Sequence, residues 1–328
     1  MLHLRLITPP DRTDDAVRLI ENTVGATHLV VLPGVARDPG GDVVMCDVAR
    51  EAGDQLLTGL QELGLEDTGS IAAENIDLSL SRRADRAEAE APGEAADAVL
   101  WEHLVEATHE ESTLSVTYVA FITLATMIAA CGVVLDNAIL IVGAMAVGPE
   151  FGPLAGICTA AVQRAPRLAL RSLVALLVGF AAAMAVTAGF SVFMDAVGLF
   201  TKDQLEGDRP NTGFVYAPDW FSFVVAVLAG AAGTLSLTSA KSGALVGVAI
   251  SVTTVPAAAN AAVALTYGDT NQTLRSSEQL LLNLLGIILA GILTLLVQKW
   301  LWSLARRRQT TPHPRAGAKS APRTYPRP

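Results

Sequence analysis

The pattern of apolar and polar positions divides this chain in two. Short runs with turn residues between them fill the first eighty positions, and apolar runs of about 20 residues, the length of a membrane crossing, begin at Thr113. In the first part Leu2–Ile7 has β character, and Pro9-Pro10 is followed by Thr13, which predicts a capped amphipathic helix through Asn22, closed by Gly25. Thr27–Val35 and Asp42–Val48 read as strands joined by the turn Asp38-Pro39-Gly40-Gly41, a hairpin. A second helix is expected from about Arg50 to Leu63, with Leu56, Leu57 and Leu60 on one face and Gly64 closing it, and Ser70–Leu80 gives a fourth strand. The order β-α-β-β-α-β predicts a ferredoxin-like α+β domain over residues 1–80, a fold that by itself names no ligand.

Residues 81–112 form a charged linker around Pro92-Gly93, and Val99, Leu100, Leu104 and Ala107 fall at helical spacing, so an amphipathic helix is expected to lead to the membrane. Beyond it six spans are read: Thr113–Leu135, Ala138–Val162, Leu168–Met194, Trp220–Thr238, Gly243–Leu265 and Gln279–Leu304. The second has few apolar residues before Gly148, so a full crossing and a re-entrant pair of half-helices both fit it. The fold class expected is thus an α-helical integral membrane bundle of about six spans, one broken, over 113–305. A basic, Pro-rich tail, 306–328, reads as disordered.

Composition supports this division. The 328 residues are 51% apolar with mean hydropathy +0.43. Residues 1–112 hold 8 Lys and Arg against 23 Asp and Glu, net −15, while 113–328 hold 15 against 9, net +6. An acidic first domain argues against a nucleic acid polymer as partner. Arg164, Arg167, Arg171, Lys241 and Arg306 to Arg308 fall on the side of the termini, against Lys202, Arg209 and Arg275 opposite. The positive-inside rule therefore places both termini in the cytoplasm. The charged and Pro-containing start, MLHLRLITPP, lacks the apolar core of a cleaved targeting segment. Cys46, Cys131 and Cys158 are far apart and suggest neither a disulfide framework nor a zinc site. No metal or cofactor is expected. His103, Glu106, His109 and Glu110 read as a solvated helix face.

The candidate chemistry lies in Ile141–Pro153, IVGAMAVGPEFGP, where Glu150 stands between two Gly-Pro breaks. Proline removes a backbone donor, so Gly148, Pro149, Glu150, Gly152 and Pro153 mark a place where protein or water must satisfy polar groups at membrane depth. Such ionisable residues mark solute paths. A kinked helix whose Glu150 snorkels to the interface fits the same residues. Pro256 with Asn260, and Asn283 in the last span, add path candidates, for which interhelical hydrogen bonding is the structural alternative. In the first domain Pro33, Gly34, Gly40 and Gly41 are weak candidates for approach to an anionic effector, beside their plain role as hairpin punctuation. Asp136 and Asn137 read as local turn residues.

Three ordered motifs together resemble a known group. Gly132–Gly156, with Ile141-Val-Gly-Ala-Met145, Pro149 and Gly152-Pro153, is similar to the signature of the bacterial hydrophobic-domain family catalogued as domain of unknown function 389. Ala229–Leu237 leading into Gly243–Ile250 with Pro256, and Asn283–Ala290, fit the same family. The resemblance covers about residues 115–300 and implies a multi-span inner-membrane protein with a cytoplasmic ferredoxin-like domain, with no settled activity. The family pattern carries an apolar residue between the two prolines, in a Ser-Pro-Leu-Met-Gly-Pro-like run, where Gly148 and Glu150 stand for Ser and Leu here. If the apolar version conducts the same solute, Glu150 tunes selectivity instead of serving a mechanism shared by the family.

These readings lead to a channel or transporter for a small ion or solute, gated by the cytoplasmic domain through a small-molecule or nucleotide effector. A membrane-anchored sensor or scaffold without transport is the alternative. No nucleophile with a nearby base lies in the spans, so no enzyme is expected. The partners expected are the lipid bilayer and further copies of the chain, as a trimer or dimer, through small-residue helix faces such as Ala229-Gly-Ala-Ala-Gly233.

Overall fold

A computed structural model describes residues 1–76, 78–91, 99–239 and 253–309. The first part is a four-stranded antiparallel sheet with helices on one face. Its elements are β1 (Leu2–Thr8), α1 (Thr13–Asn22), β2 (Ala26–Arg37), β3 (Gly40–Val48), α2 (Arg50–Glu62), a one-turn α3 (Leu65–Thr68) and β4 (Ser70–Asn75). The strand order is β2-β3-β1-β4. Leu4 pairs with Cys46 on one side and Ala73 on the other, and Leu6 with Val44 and Ile71. Period-two alternation therefore sends Leu2, Leu4 and Leu6 to the face covered by Ala16 and Ile20 of α1 and Leu56 and Leu60 of α2.

The local signals differ from expectation in detail. Thr13 lies inside α1 and does not cap it; Arg12 occupies the N-cap. The Thr13 hydroxyl instead ties the helix start to the sheet, bonding Thr8 and Asp42 at 2.8 and 2.7 Å. Strand β4 ends at Asn75, five residues short of Leu80, because β1, its partner, begins at Leu2, which pairs with Asn75. Gly64 closes α2 in the left-handed region, φ +73°, as the sequence predicts.

Helix α4 (Arg82–Glu90) follows, and α5 (Trp101–Glu111) leads into the apolar part. There α6 (Val116–Val134), α7 (Ala138–Val147), α8 (Phe151–Gln163), α9 (Pro166–Ala196), α10 (Lys202–Glu206), α11 (Trp220–Thr238), α12 (Thr254–Thr266) and α13 (Thr270–Gln309) pack together. Four of them, α6, α9, α11 and α13, are long and apolar enough to cross a membrane, five spans if α7 and α8, bent by 52°, form one broken span. This is the helix set of a multi-pass membrane protein. The fifth expected span is only partly described: its half through Val252, with the Gly243–Ile250 motif, lies outside the described residues, as do Lys241, Pro92-Gly93 and 310–328. Its second half, α12, has 13 residues, about 20 Å, too short for a crossing alone.

Helix α12 is the centre of the bundle. Every residue from Thr254 to Ala264 is buried, with α6, α9 and α13 around it, which explains its run of alanines: close neighbours on all sides leave room for little more than a methyl group. Helix α13 shows the reverse of soluble amphipathicity. Leu281, Leu285, Leu289, Leu293 and Leu296 are exposed in a row, while Ser276, Gln279 and Asn283 are buried. Such a helix suits a lipid exterior and a polar interior. It begins at Thr270, nine residues before the expected Gln279, because the Asp269 carboxylate accepts from the Gln272 N–H at 3.0 Å and stabilises the first turn.

Candidate functional site

The break between α7 and α8 is built by its glycines and prolines. Asn137 caps α7, its side chain accepting from Ile139 and Leu140, and Gly148 ends it. Pro149 lies in the break, and Pro153 is the third residue of α8, where no intrahelical donor is lost. Pro256 occupies the same position in α12, so it opens that helix instead of breaking it within the described residues. A Cβ on Gly148 would collide with the Glu150 carboxylate, and one on Gly152 would lie 2.7 Å from Glu111 Cβ. The glycines thus let the Glu150 side chain fold back and α5 approach α8.

Glu150 is 5% exposed and points into the bundle, where the Thr254 hydroxyl donates to its Oε1 at 2.7 Å. The snorkelling alternative therefore does not describe this structure. Its Oε2 has no partner among the described residues; nor do Tyr118 Oη, Ser112 Oγ and Ser172 Oγ, all buried. Both serine hydroxyls crowd the position that a Cβ on Gly156 of α8 would take, on the half of the broken span nearer the sheet domain.

From Thr254 a series of polar side chains runs the other way. Asn283 donates to the neighbouring Thr253 hydroxyl at 2.9 Å, and Gln279 to Asn283 at 3.4 Å. Gln279 and Ser276 follow one face of α13, and the Asn260 amide of α12 donates to Ser276 Oγ at 2.7 Å. Arg209, 4% exposed, closes the series by donating from Nη1 to Asn260 Oδ1 at 2.9 Å. The structure thus brings Glu150, Pro256, Asn260 and Asn283 into one region, and its track along α13 from Gln272 to Asn283 is about 16 Å long. Its amides Asn260, Gln279 and Asn283 are at most 1% exposed, whereas Gln272 at the end of the track is half-buried.

Two charged residues of this region escaped the sequence reading, as did the polar Ser276 and Gln279. Arg209 counted only as a loop charge, and Asp136 as a local turn. Asp136 has φ +47° and accepts from the Asn211 and Thr212 backbone N–H groups at 3.1 and 2.8 Å and from the Thr212 hydroxyl at 2.9 Å. It pins the segment carrying Arg209 to the end of α6. Desolvation raises its pKa, but these hydrogen bonds outweigh it and hold the carboxyl below its ordinary range. The only sequence signal was an Arg in a loop otherwise rich in acidic residues.

The effector candidates do not converge on a cavity. Gly34 has φ +68° and Gly41 approaches the Thr8 carbonyl too closely for a side chain, so hairpin geometry accounts for both; Pro33 and Gly40 flank them. A cavity of about 480 Å³ lies instead at the opposite sheet edge, between Gln61, Glu66 and Ser70 and, on the α5 side, Leu100, Glu102 and Glu106. Helix α5 packs in turn on α8, and Val99 and Leu104 join Cys158, Val162 and Leu295 in one apolar cluster.

Residues 145–289 match the family described as Domain of unknown function (DUF389). An uncharacterized protein of Methanocaldococcus jannaschii is 25% identical over 207 residues, which make up 62% of this chain and 61% of that protein. The chain thus spans less than two thirds of the curated relative it matches. No solved structure matches it. The matched segment contains the α7–α8 break, Arg209, α12 and the polar face of α13, and over that segment the chain is similar to the DUF389 family that its motifs resemble.

Proposed function

We propose that the chain is a channel or transporter for a small ion or solute, with its path along the polar track from Arg209 through Asn260, Gln279 and Asn283 to Glu150. The observation that carries this reading is the carboxyl of Glu150, buried at a helix break and bonded by Thr254. A carboxylate at that depth is costly, and proteins keep such groups where ions or solutes pass. Half-helices that end at membrane depth are the usual frame of such sites. The unpartnered hydroxyls of Ser112, Ser172 and Tyr118 continue the polar lining toward the sheet domain.

The first domain reads as ferredoxin-like, supported by the order β-α-β-β-α-β and the sheet order β2-β3-β1-β4. Its cavity against α5 favours gating, since a ligand there would bear on the helix that packs against α8. The loop charges support a cytoplasmic sheet domain and C-terminus, and the family resemblance a bacterial inner membrane; since Gly230 packs on Ile287 within the chain, a homo-oligomer, dimer or trimer, would use other helix faces.

Flux of small cations and anions into proteoliposomes tests the proposal. Wild type conducts at least one of them, and Glu150→Gln changes its rate or pH dependence. Absence of flux with every ion removes the transport reading and leaves the sensor or scaffold, for which the same cavity is the binding site.

A further inference from the structure

Arg209 is a buried cation on which the Tyr216 side chain acts most strongly, and whose Nε and Nη2 lack an acceptor among the described residues. It lies at the end of α6 remote from the sheet domain, 4% exposed, between exposed neighbours Asp208 and Pro210. Its guanidinium stands over the Tyr216 ring, 4.5 Å from the centroid. Nη1 donates to Asn260, whose own amide is held by Ser276, so the head group has a fixed orientation. Nε and Nη2 have no acceptor among the described residues. No carboxylate there lies within ion-pair distance. Asp136 and Asp269 act on it only from farther away, and both are engaged by backbone N–H groups.

A buried charge needs a partner, and the geometry says which kind fits. The Nε and Nη2 groups form the side-on fork of arginine, two parallel donors spaced for two oxygens of one carboxylate or phosphate group. We infer that Arg209 binds a small oxyanion side-on through Nε and Nη2, at the remote end of the polar track. Asn260 and Tyr216 fix the plane of the guanidinium, and the anion supplies the counter-charge that the fold withholds. Resting on the transport reading, this makes a small oxyanion the solute class that enters the track.

The test uses the full chain in lipid nanodiscs. Thermal unfolding is followed against acetate, inorganic phosphate and, at matched ionic strength, chloride. Saturable stabilisation by acetate or phosphate, and not by chloride, is expected for wild type. Arg209→Lys, which keeps the charge but not the fork, is expected to weaken apparent affinity at least tenfold. Asn260→Asp places a carboxylate on Nη1 and is expected to abolish the oxyanion effect with Arg209 in place, which decides the matter if Arg209→Lys does not fold. Equal stabilisation by chloride, or an unchanged oxyanion response in Asn260→Asp, overturns the site. Oxyanion binding without flux in proteoliposomes retains the site and discards transport; flux indifferent to Arg209 does the opposite.

Discussion

Replacing Thr254 by Val isolates the contact that holds Glu150 in the bundle. The two side chains have nearly the same shape, and Thr254 is 1% exposed, so packing changes little while the hydroxyl donor disappears. A 2.7 Å hydrogen bond to a buried carboxyl group contributes about 1.5–3 kcal/mol when the group is ionised and about 1 kcal/mol when it is protonated. The loss also leaves Oε1 without its hydroxyl donor beside an Oε2 that has no partner among the described residues. Equilibrium unfolding in lipid micelles of wild type, Thr254→Val, Glu150→Leu and the double variant gives the coupling directly. The expected coupling is about 1–3 kcal/mol, with Thr254→Val nearly silent once Glu150 is Leu. An equal cost of Thr254→Val in both backgrounds would refute the contact as the anchor of the broken span.

The other expectations concern packing and the Arg209 segment. A methyl group at Gly230 would sit 2.7 Å from both Cα and O of Ile287, so Gly230→Ala forces α11 from α13 at about 1–3 kcal/mol. Gly143→Ala in α7, where nothing lies within 4 Å, gains up to about 1 kcal/mol in the same unfolding assay. Asp136 has a depressed pKa, so its contribution is present above its ordinary value of 3.8 and disappears as pH falls through the lower folded value. Limited proteolysis by an acid-active protease is therefore expected to open the segment 207–219 only well below pH 3.8 in wild type, and at every pH in Asp136→Ala. Resistance of Asp136→Ala equal to wild type would show that other contacts hold the segment.

Periodicity alone determined much of this protein. Alternation in Leu2–Ile7 and the hairpin signals give the strands, because side chains of a half-buried sheet must alternate. Runs of apolar residues give α6, α9 and α11 nearly to the residue, because a helix crossing lipid has no polar positions to mark a second boundary. The broken span was legible too, since Gly148, Pro149 and Pro153 act locally on the backbone. What only the tertiary structure decided was the partnership of the polar residues. Glu150 and Thr254 are 104 positions apart, and Arg209 and Asn260 are 51 apart, so no local pattern joins them. Arg209 looked like a loop charge because burial depends on how the segment folds back over α12 and is tied down by Asp136. The start of α13 was misplaced for a related reason: its first turns are polar yet helical, capped by Asp269 and tied to Asn260 through Gln272 and Ser276, while Thr270, Asn271 and Arg275 stay exposed. Sequence fixes which groups want partners; the packing of distant helices decides which they find.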